Sequence, residues 1–291
     1  MEPSHPLDVA IADQRVCVIV LAHNEEARIG ACLESLPRDA PGLQVHVVVN
    51  GTTDRTASIA GGYSGVTVHD WEQGGKSRSW NRIMLDTPGI EADAYVFVDG
   101  DAIVLPGSID ALLKGLRKPG VNAASGFPAN GRQVKSYERS IKSEHGLFGD
   151  LYALSGAFVA RLRTQGIRLP EDLIGDDSLV GAMAKTDLSC EVDWRNERVV
   201  PCPDAKFLCD PITLSPGGLK LQMGRMRNYS LRHFQNRIVS TIMRSEGPKG
   251  LPLRMDALYA DYLPRLKVRR DPRYWWFDRQ ALAKLKAAAA A

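Results

Sequence analysis

Over the first 118 residues, apolar runs of strand length alternate with segments of helical periodicity. Arg15–Ala22 (RVCVIVLA) is a continuous apolar run, and Val45–Val49 and Val66–His69 repeat the signature. The stretch Ala94–Val98 is apolar, β-branched and aromatic, then meets two carboxylates around one glycine, Asp99-Gly100-Asp101. Unbroken runs of this kind, rather than alternating ones, are what strands buried on both faces require. Between them Ile29, Cys32, Leu33 and Leu36 recur at helical spacing behind Asn24, a good N-cap followed by Glu25 and Glu26. A short helix to about Ala60, another over Ser79–Leu85, and a third capped by Ser108, with Ile109, Leu112, Leu113 and Leu116 on one face, are predicted next. Strand–helix alternation of this kind implies an α/β fold with a mostly parallel central sheet, right-handed crossovers and helices on both faces.

Beyond residue 118 the pattern is less regular. Gly126 to Gly149 has mixed polarity and reads as an excursion or a flexible segment. Tyr152–Ala160 reads as a strand, Asp172–Ala184 as a helix beginning near Asp177, and Glu191–Val200 as another strand. Pro216-Gly217-Gly218 introduces a basic helix with Lys220, Gln222, Arg225, Arg227 and Arg232, and Arg265–Lys286 interleaves arginines and lysines with Tyr274, Trp275, Trp276 and Phe277. The expected organisation is an N-terminal tail (1–14), a first half (15–118), a second half (119–235), a C-terminal helical extension (236–286) and a tail (287–291).

Composition narrows the class. The chain is 44% hydrophobic and 24% charged, and its mean hydropathy of −0.20 is that of a soluble globular protein. A net charge of +3 is too mild to argue for nucleic acid as a partner. No apolar run approaches the roughly 18 residues that a membrane span needs. Five cysteines form no C-x-x-C pair, and their odd number argues against a disulfide framework, so a reducing cytoplasm is the expected compartment. The basic, aromatic C-terminal segment has the composition of an interfacial anchor, which adds peripheral contact at the inner membrane face as an option. A helix packed on the domain is the competing expectation, and nothing in the periodicity prescribes an oligomer.

The chemistry concentrates at Asp99 and Asp101. Ionised carboxylates at the end of a buried strand are costly unless compensated. In open α/β sheets, ligands bind outside the carboxyl ends of the strands, and Asn24, Asn50, Lys76 and Asp99 all fall in loops at that end. Two Asp around a Gly make a hard-oxygen site suited to Mg²⁺ or Mn²⁺ carrying a diphosphate. The plain alternative is an acidic turn after a strand, since Asp-Gly is a common turn dipeptide.

The order of motifs resembles the family 2 glycosyltransferases on the glycosyltransferase A fold, from about Val16 to Tyr229. The first loop of that family, Tyr-Asn-Glu-Glu-like, is matched by His23-Asn24-Glu25-Glu26, and its Asp-Asp/Asn-Gly-Ser-Thr-Asp loop by Val49-Asn50-Gly51-Thr52-Thr53-Asp54. Gly75-Lys76 with Asn81 resembles its Gly-Lys loop, and Asp99-Gly100-Asp101 its Asp-x-Asp motif. Ser155-Gly156-Ala157-Phe158 resembles its Gly-Ala stretch. Asp176-Asp177-Ser178-Leu179 stands for Glu-Asp-x-x-Leu, and Gln222-Met223-Gly224-Arg225-Met226 for Gln-x-x-Arg-Trp.

The resemblance implies an inverting, metal-dependent glycosyltransferase that moves a sugar from a nucleotide-sugar donor, UDP-linked by preference, to an acceptor hydroxyl. The acceptor would be a saccharide, a lipid-linked sugar or a small molecule. It assigns donor binding to Ala22, Asn24, Glu25, Asn50, Lys76, Asp99, Gly100 and Asp101, with Mn²⁺ or Mg²⁺ on Asp101 and Asp99. Asp177 becomes the general base, while Gly156, Asp176, Gln222 and Arg225 face acceptor or diphosphate. The alternatives carried with it are a retaining glycosyltransferase, a nucleotidyltransferase on a similar fold, and a sugar-nucleotide-binding protein without turnover.

Overall fold

A computed structural model describes residues 14–131, 133–209 and 216–290. The expected tail, but for Gln14, and Ala291 lie outside the described residues. Eight strands form one sheet in the order β3-β2-β1-β4-β7-β6-β8-β5. They are β1 (Val16–Ala22), β2 (Leu43–Asn50), β3 (Val66–Trp71), β4 (Ala94–Asp99), β5 (Ile103–Val104), β6 (Ala123–Pro128), β7 (Leu151–Ser155) and β8 (Val199–Leu208). The pairs β1·β2, β1·β4, β2·β3 and β6·β8 are parallel; β7 runs against both β4 and β6, and β5 against β8. The mostly parallel α/β sheet predicted from the periodicity is therefore present.

Successive residues of β1 feed opposite layers. Cys17, Ile19 and Leu21 join a core with Trp80, Phe97, Tyr152 and Phe158, while Val16, Val18 and Val20 join one with Ile29, Leu33, Val47 and Leu112. Burial on both faces is why the strand reads as an unbroken apolar run. Helices α1 (Ile29–Glu34), α2 (Thr56–Gly61) and α3 (Lys76–Asn81) make the crossovers to β2, β3 and β4, and α4 (Ser108–Leu116) follows β5. The strand order reverses at β1, which has β2 on one side and β4 on the other. That reversal opens a crevice at the carboxyl ends of β1 and β4.

Several expected boundaries move. The helix after β1 starts at Ile29, because Asn24 adopts a left-handed backbone (φ +56°) and caps another loop. Ser108 does not cap α4; its hydroxyl exchanges hydrogen bonds with the Lys206 backbone of β8, at 2.8 Å in each direction. The helix expected over Ser79–Leu85 begins at Lys76 and ends in a π-helical turn, Arg82–Asp86.

The region of 126–149 expected as an excursion contains the end of β6 and a helix, α5 (Val134–Glu144). The run Ala123–Pro128 (AASGFP) is too small in side chain to signal a strand. It is one because β7 and β8 flank it and bury all six residues. Tyr152–Ala160 is half strand and half helix: Ser155 caps α6 (Gly156–Gln165) by accepting from the Phe158 amide at 3.3 Å. Glu191–Val200 is mostly two 3₁₀ turns, and β8 follows them despite Pro201 and Pro203, with a register shift opposite Ser125–Phe127.

The rest is helical: α7 (Asp176–Thr186), α8 (Pro216–Ser245), α9 (Asp256–Tyr262) and α10 (Pro272–Ala289). The sheet runs across residue 118 and the 30-residue α8 across residue 235. No helix among the described residues is long and apolar enough to cross a membrane.

Candidate active site

The crevice is a cleft of about 380 Å³ whose lining includes Ala22, Glu25, Asn50, Lys76, Asp99, Gly100 and Asp101. Seven of the eight residues predicted for donor binding are thus brought together from four separate loops. Asn24 stands beside them as an organiser, its Oδ1 accepting from the Thr53 amide at 3.0 Å and its amide donating to Thr52 Oγ1 at 3.2 Å. Asn50 is buried, and both ends of its amide are used. Nδ2 donates to the Ala22 carbonyl (3.0 Å) and Oδ1 accepts from the Gly75 amide (3.1 Å), tying the end of β1 to the loop that carries Lys76. Gly100 permits the close approach of the β1 and β4 loops, since a Cβ there would sit 2.9 Å from the Ala22 Cβ.

Charge in the cleft centres on Lys76. Its Nζ lies 2.6 Å from Asp99 Oδ1 and 4.0 Å from Asp176 Oδ1. Burial alone would lower the Lys76 pKa, but Asp176, Asp99 and Asp177 hold it well above the ordinary lysine value. Burial drives the Asp99 carboxyl well above the usual range, a push that Lys76 opposes and the neighbouring Asp150 and Asp101 reinforce. Asp150 is raised as well, mainly by burial, and its Oδ2 accepts from Cys209 Sγ at 2.9 Å. Asp101 has Arg28 at 3.9 Å, and the same guanidinium reaches Glu25 at 2.5 Å.

The second half of the site is built by α7 and α8. Arg232 of α8 reaches both oxygens of Asp177, at 2.9 and 3.1 Å, and also bonds Ser178 Oγ. Gly149 marks how close this pair comes to the cleft. A Cβ on it would stand 3.4 Å from Lys76 Nζ and 3.7 Å from Asp177 Cγ. Asp99, Lys76, Asp177 and Arg232 therefore form a run of alternating charge from one wall to the other. Asp176 is buried, with Oδ2 lacking a hydrogen-bond partner among the described residues; burial raises its pKa, against the pull of Lys76.

The remaining predicted residues stand apart. Gly156 is at the other end of the sheet: Ser155 pairs with Ala94, and the Gly156 amide bonds the Asp93 carbonyl at 2.8 Å. With Asp99 five residues further along β4, that is about 17 Å away. Gly156 is not among the residues that line the cleft, and it is a glycine because a Cβ would meet the Ala92 carbonyl at 2.4 Å. Gln222 and Arg225 lie toward the free end of α8, Arg225 two turns before Arg232 and so about 10 Å from it along the axis. Among the described residues neither bonds to a residue of the cleft, and Gln222 Oε1 is buried without a partner.

Asp150 and the pairing role of Arg232 were not singled out from the sequence. Asp150 belongs to no local pattern, and only its position before β7, antiparallel to β4, brings it to Asp99.

The donor set suits a hard cation shared with a ligand. Asp99, Asp101 and Asp150 stand close enough to raise one another's charge cost, with Lys76 on Asp99 and Arg28 at 3.9 Å from Asp101, and a divalent ion would relieve that repulsion. Among the described residues no three His, Cys, Asp or Glu side chains converge as a complete cage. One or two carboxylates completed by phosphate oxygens is the arrangement Mg²⁺ commonly takes.

The family model described as Glycosyl transferase family 2 matches residues 17–171. Protein RfbJ of Shigella flexneri is 32% identical over 103 residues, which are 34% of this chain and 77% of that protein. Among solved structures, the mannosyltransferase PcManGT from Pyrobaculum calidifontis, in complex with GDP-Man and Mn²⁺, is similar over 99% of this chain and 79% of its own, with 24% identity and a TM-score of 0.59. Glucosyl-3-phosphoglycerate synthase from Mycobacterium tuberculosis, in complex with Mn²⁺, UDP-glucose and phosphoglyceric acid, is similar over 77% of this chain and 80% of its own, with 20% identity and a TM-score of 0.55. At these identities the structural likeness is one of fold.

Proposed function

The chain belongs to glycosyl transferase family 2 and is a glycosyltransferase; from that premise we propose that it inverts the anomeric carbon of a nucleotide-sugar donor with a divalent cation bound. The observation that carries this reading is the apposition of the Asp99–Asp101 cleft to the Asp177 carboxylate across Lys76 and Gly149. Donor groups on one side and an ionisable acceptor of protons on the other are what a single in-line displacement needs.

Asp101 and Asp99 would hold the cation, which when bound offsets charge developing on the departing diphosphate. Lys76 supplies a point charge within reach of the same phosphates. The glycosidic bond to the diphosphate breaks as the acceptor oxygen bonds the anomeric carbon from the opposite face. The hydroxyl proton passes to Asp177, the general base. Arg232 orients that carboxylate through both of its oxygens. Asp176, deeper and facing Lys76, acts as a support rather than as the base.

The two solved relatives were captured with GDP- and UDP-linked sugars and Mn²⁺, so GDP-mannose and UDP-glucose are the donors to test first. Nucleotide release should require Mn²⁺ or Mg²⁺, stop with EDTA, and fall steeply in Asp101→Asn with the fold retained. Equal release with and without divalent ions overturns the metal assignment. A product of unchanged anomeric configuration overturns inversion.

A further inference from the structure

Charge is divided unevenly along this chain. Residues 216–290, comprising α8, α9 and α10, carry sixteen Lys and Arg against five Asp and Glu, a net of +11. The rest of the chain nets −8, so the overall +3 conceals a strongly basic extension on an acidic catalytic body. Exposed apolar side chains share the same segment. Of nine large hydrophobic side chains exposed among the described residues, five are on α8 and α10: Leu219, Leu221, Tyr229, Trp275 and Trp276.

The core does not call for these side chains. Ala281 and Leu285 bury the inner face of α10 against Leu231, Phe234 and Ile238, and Asp278 is buried beside them with Arg269. Trp275 and Trp276, a turn earlier, remain 46% and 45% exposed. Arg227 of α8 donates to Gln280 of α10 at 2.9 Å, and Gln280 lies one turn from Trp276, so the exposed parts of both helices are joined. Arg279 stacks on the Trp275 ring with its charge 4.7 Å from the centroid.

We propose that this surface docks the protein on an anionic lipid bilayer. Tryptophan with an apolar body and a polar edge suits the headgroup boundary, and clustered Arg and Lys are drawn to the negative leaflet. Leu219 and Leu221 offer no hydrogen bonds to a base or a phosphate, which favours acyl chains over a nucleic acid. The surface also ends at the site. Tyr229 is one turn from Arg232, which holds Asp177, so a docked enzyme presents its base beside the membrane. The consequence for the substrate, an acceptor carried on a lipid, rests on the function proposed above; the docking does not.

Flotation with vesicles of phosphatidylglycerol and phosphatidylcholine in equal parts tests the proposal, with pure phosphatidylcholine and a double-stranded DNA competitor as the other arms. The wild-type protein should float with the anionic vesicles at low salt, leave them at high salt, and ignore the neutral ones. Trp275→Ser with Trp276→Ser should weaken partition by about tenfold while keeping a cooperative melt. Lys220→Glu with Lys284→Glu, at two exposed positions, should do the same without touching the aromatics. Protein that stays in solution with anionic vesicles at low salt overturns the proposal, as does partition unaltered in both variants. DNA that strips the protein at equal phosphate concentration assigns the surface to nucleic acid instead. Nucleotide release from a soluble donor, measured on the same variants, keeps failure of docking distinct from failure of the transferase reading.

Discussion

At the residue scale, Lys76 and Asp177 decide how the two halves of the site communicate. Lys76 is the single ammonium among Asp99, Asp176 and Asp177, and Arg232 takes up the far side of Asp177. A sugar hydroxyl is a poor nucleophile near neutral pH, so if Asp177 is the base proposed above, its removal should be felt in turnover and not in donor binding. Asp177→Asn keeps size and hydrogen bonding and is expected to lower kcat by roughly 10²–10⁴-fold with nucleotide affinity nearly unchanged. Steady-state kinetics with calorimetry on the same preparation checks this. Loss in Asp176→Asn with normal transfer in Asp177→Asn would reverse the two roles. Much of the cleft lining was legible beforehand because its residues sit in short local patterns at strand ends. Arg232 and Asp150 were not, since their partners are 55 and 51 residues away in sequence.

At the scale of elements, the sheet was readable where side chains are large and apolar and unreadable where they are small. β1 and β4 announce themselves by unbroken branched and aromatic runs. AASGFP and a strand with two prolines do not, and both are strands because their neighbours require pairing. The same small-residue logic turns Gly156 into a test. Gly156→Ala pushes a methyl group into the Ala92 carbonyl and should destabilise the protein by about 1–3 kcal/mol, while the folded fraction keeps its kcat and KM. Urea unfolding and kinetics on one sample measure both.

The β2–β3 pair offers a pH prediction. His46 and His69 stack with ring centroids 5.3 Å apart, and burial, followed by repulsion from His69, lowers the His46 pKa to about 4 from 6.5. The folded state thus resists a proton that the unfolded chain accepts below about 6.5. Stability is intact above that pH and falls as pH drops toward about 4. Melting temperature should decline across this window, and more shallowly in His46→Gln.

At the scale of the whole molecule, an acidic body carries a basic helical cap, and Asp99, Asp101 and Asp150 of that body gather where the strand order reverses. That density is a cost in the protein alone. Asp99 and Asp150 are both pushed upward, first by burial and then by neighbouring carboxylates, Asp150 and Asp101 acting on Asp99 and Asp101 on Asp150, with Lys76 the cation that opposes both. Sites built for a charged ligand commonly give up stability in its absence. Replacing one carboxylate of the cluster by its amide should therefore act in opposite directions on the free and the loaded protein.

Asp150→Asn is the informative choice, because an amide oxygen can still accept from Cys209 and Lys76 keeps its bond to Asp99. In EDTA the variant is expected to melt higher than wild type. With Mn²⁺ and a nucleoside diphosphate, which stabilise the folded state in proportion to their affinity, it should gain less than wild type does. Scanning calorimetry under the two conditions separates the effects. A variant that melts lower in EDTA would mean that Asp150 is a net stabiliser of the fold. An undiminished gain with Mn²⁺ and nucleotide would remove it from the ligand field altogether.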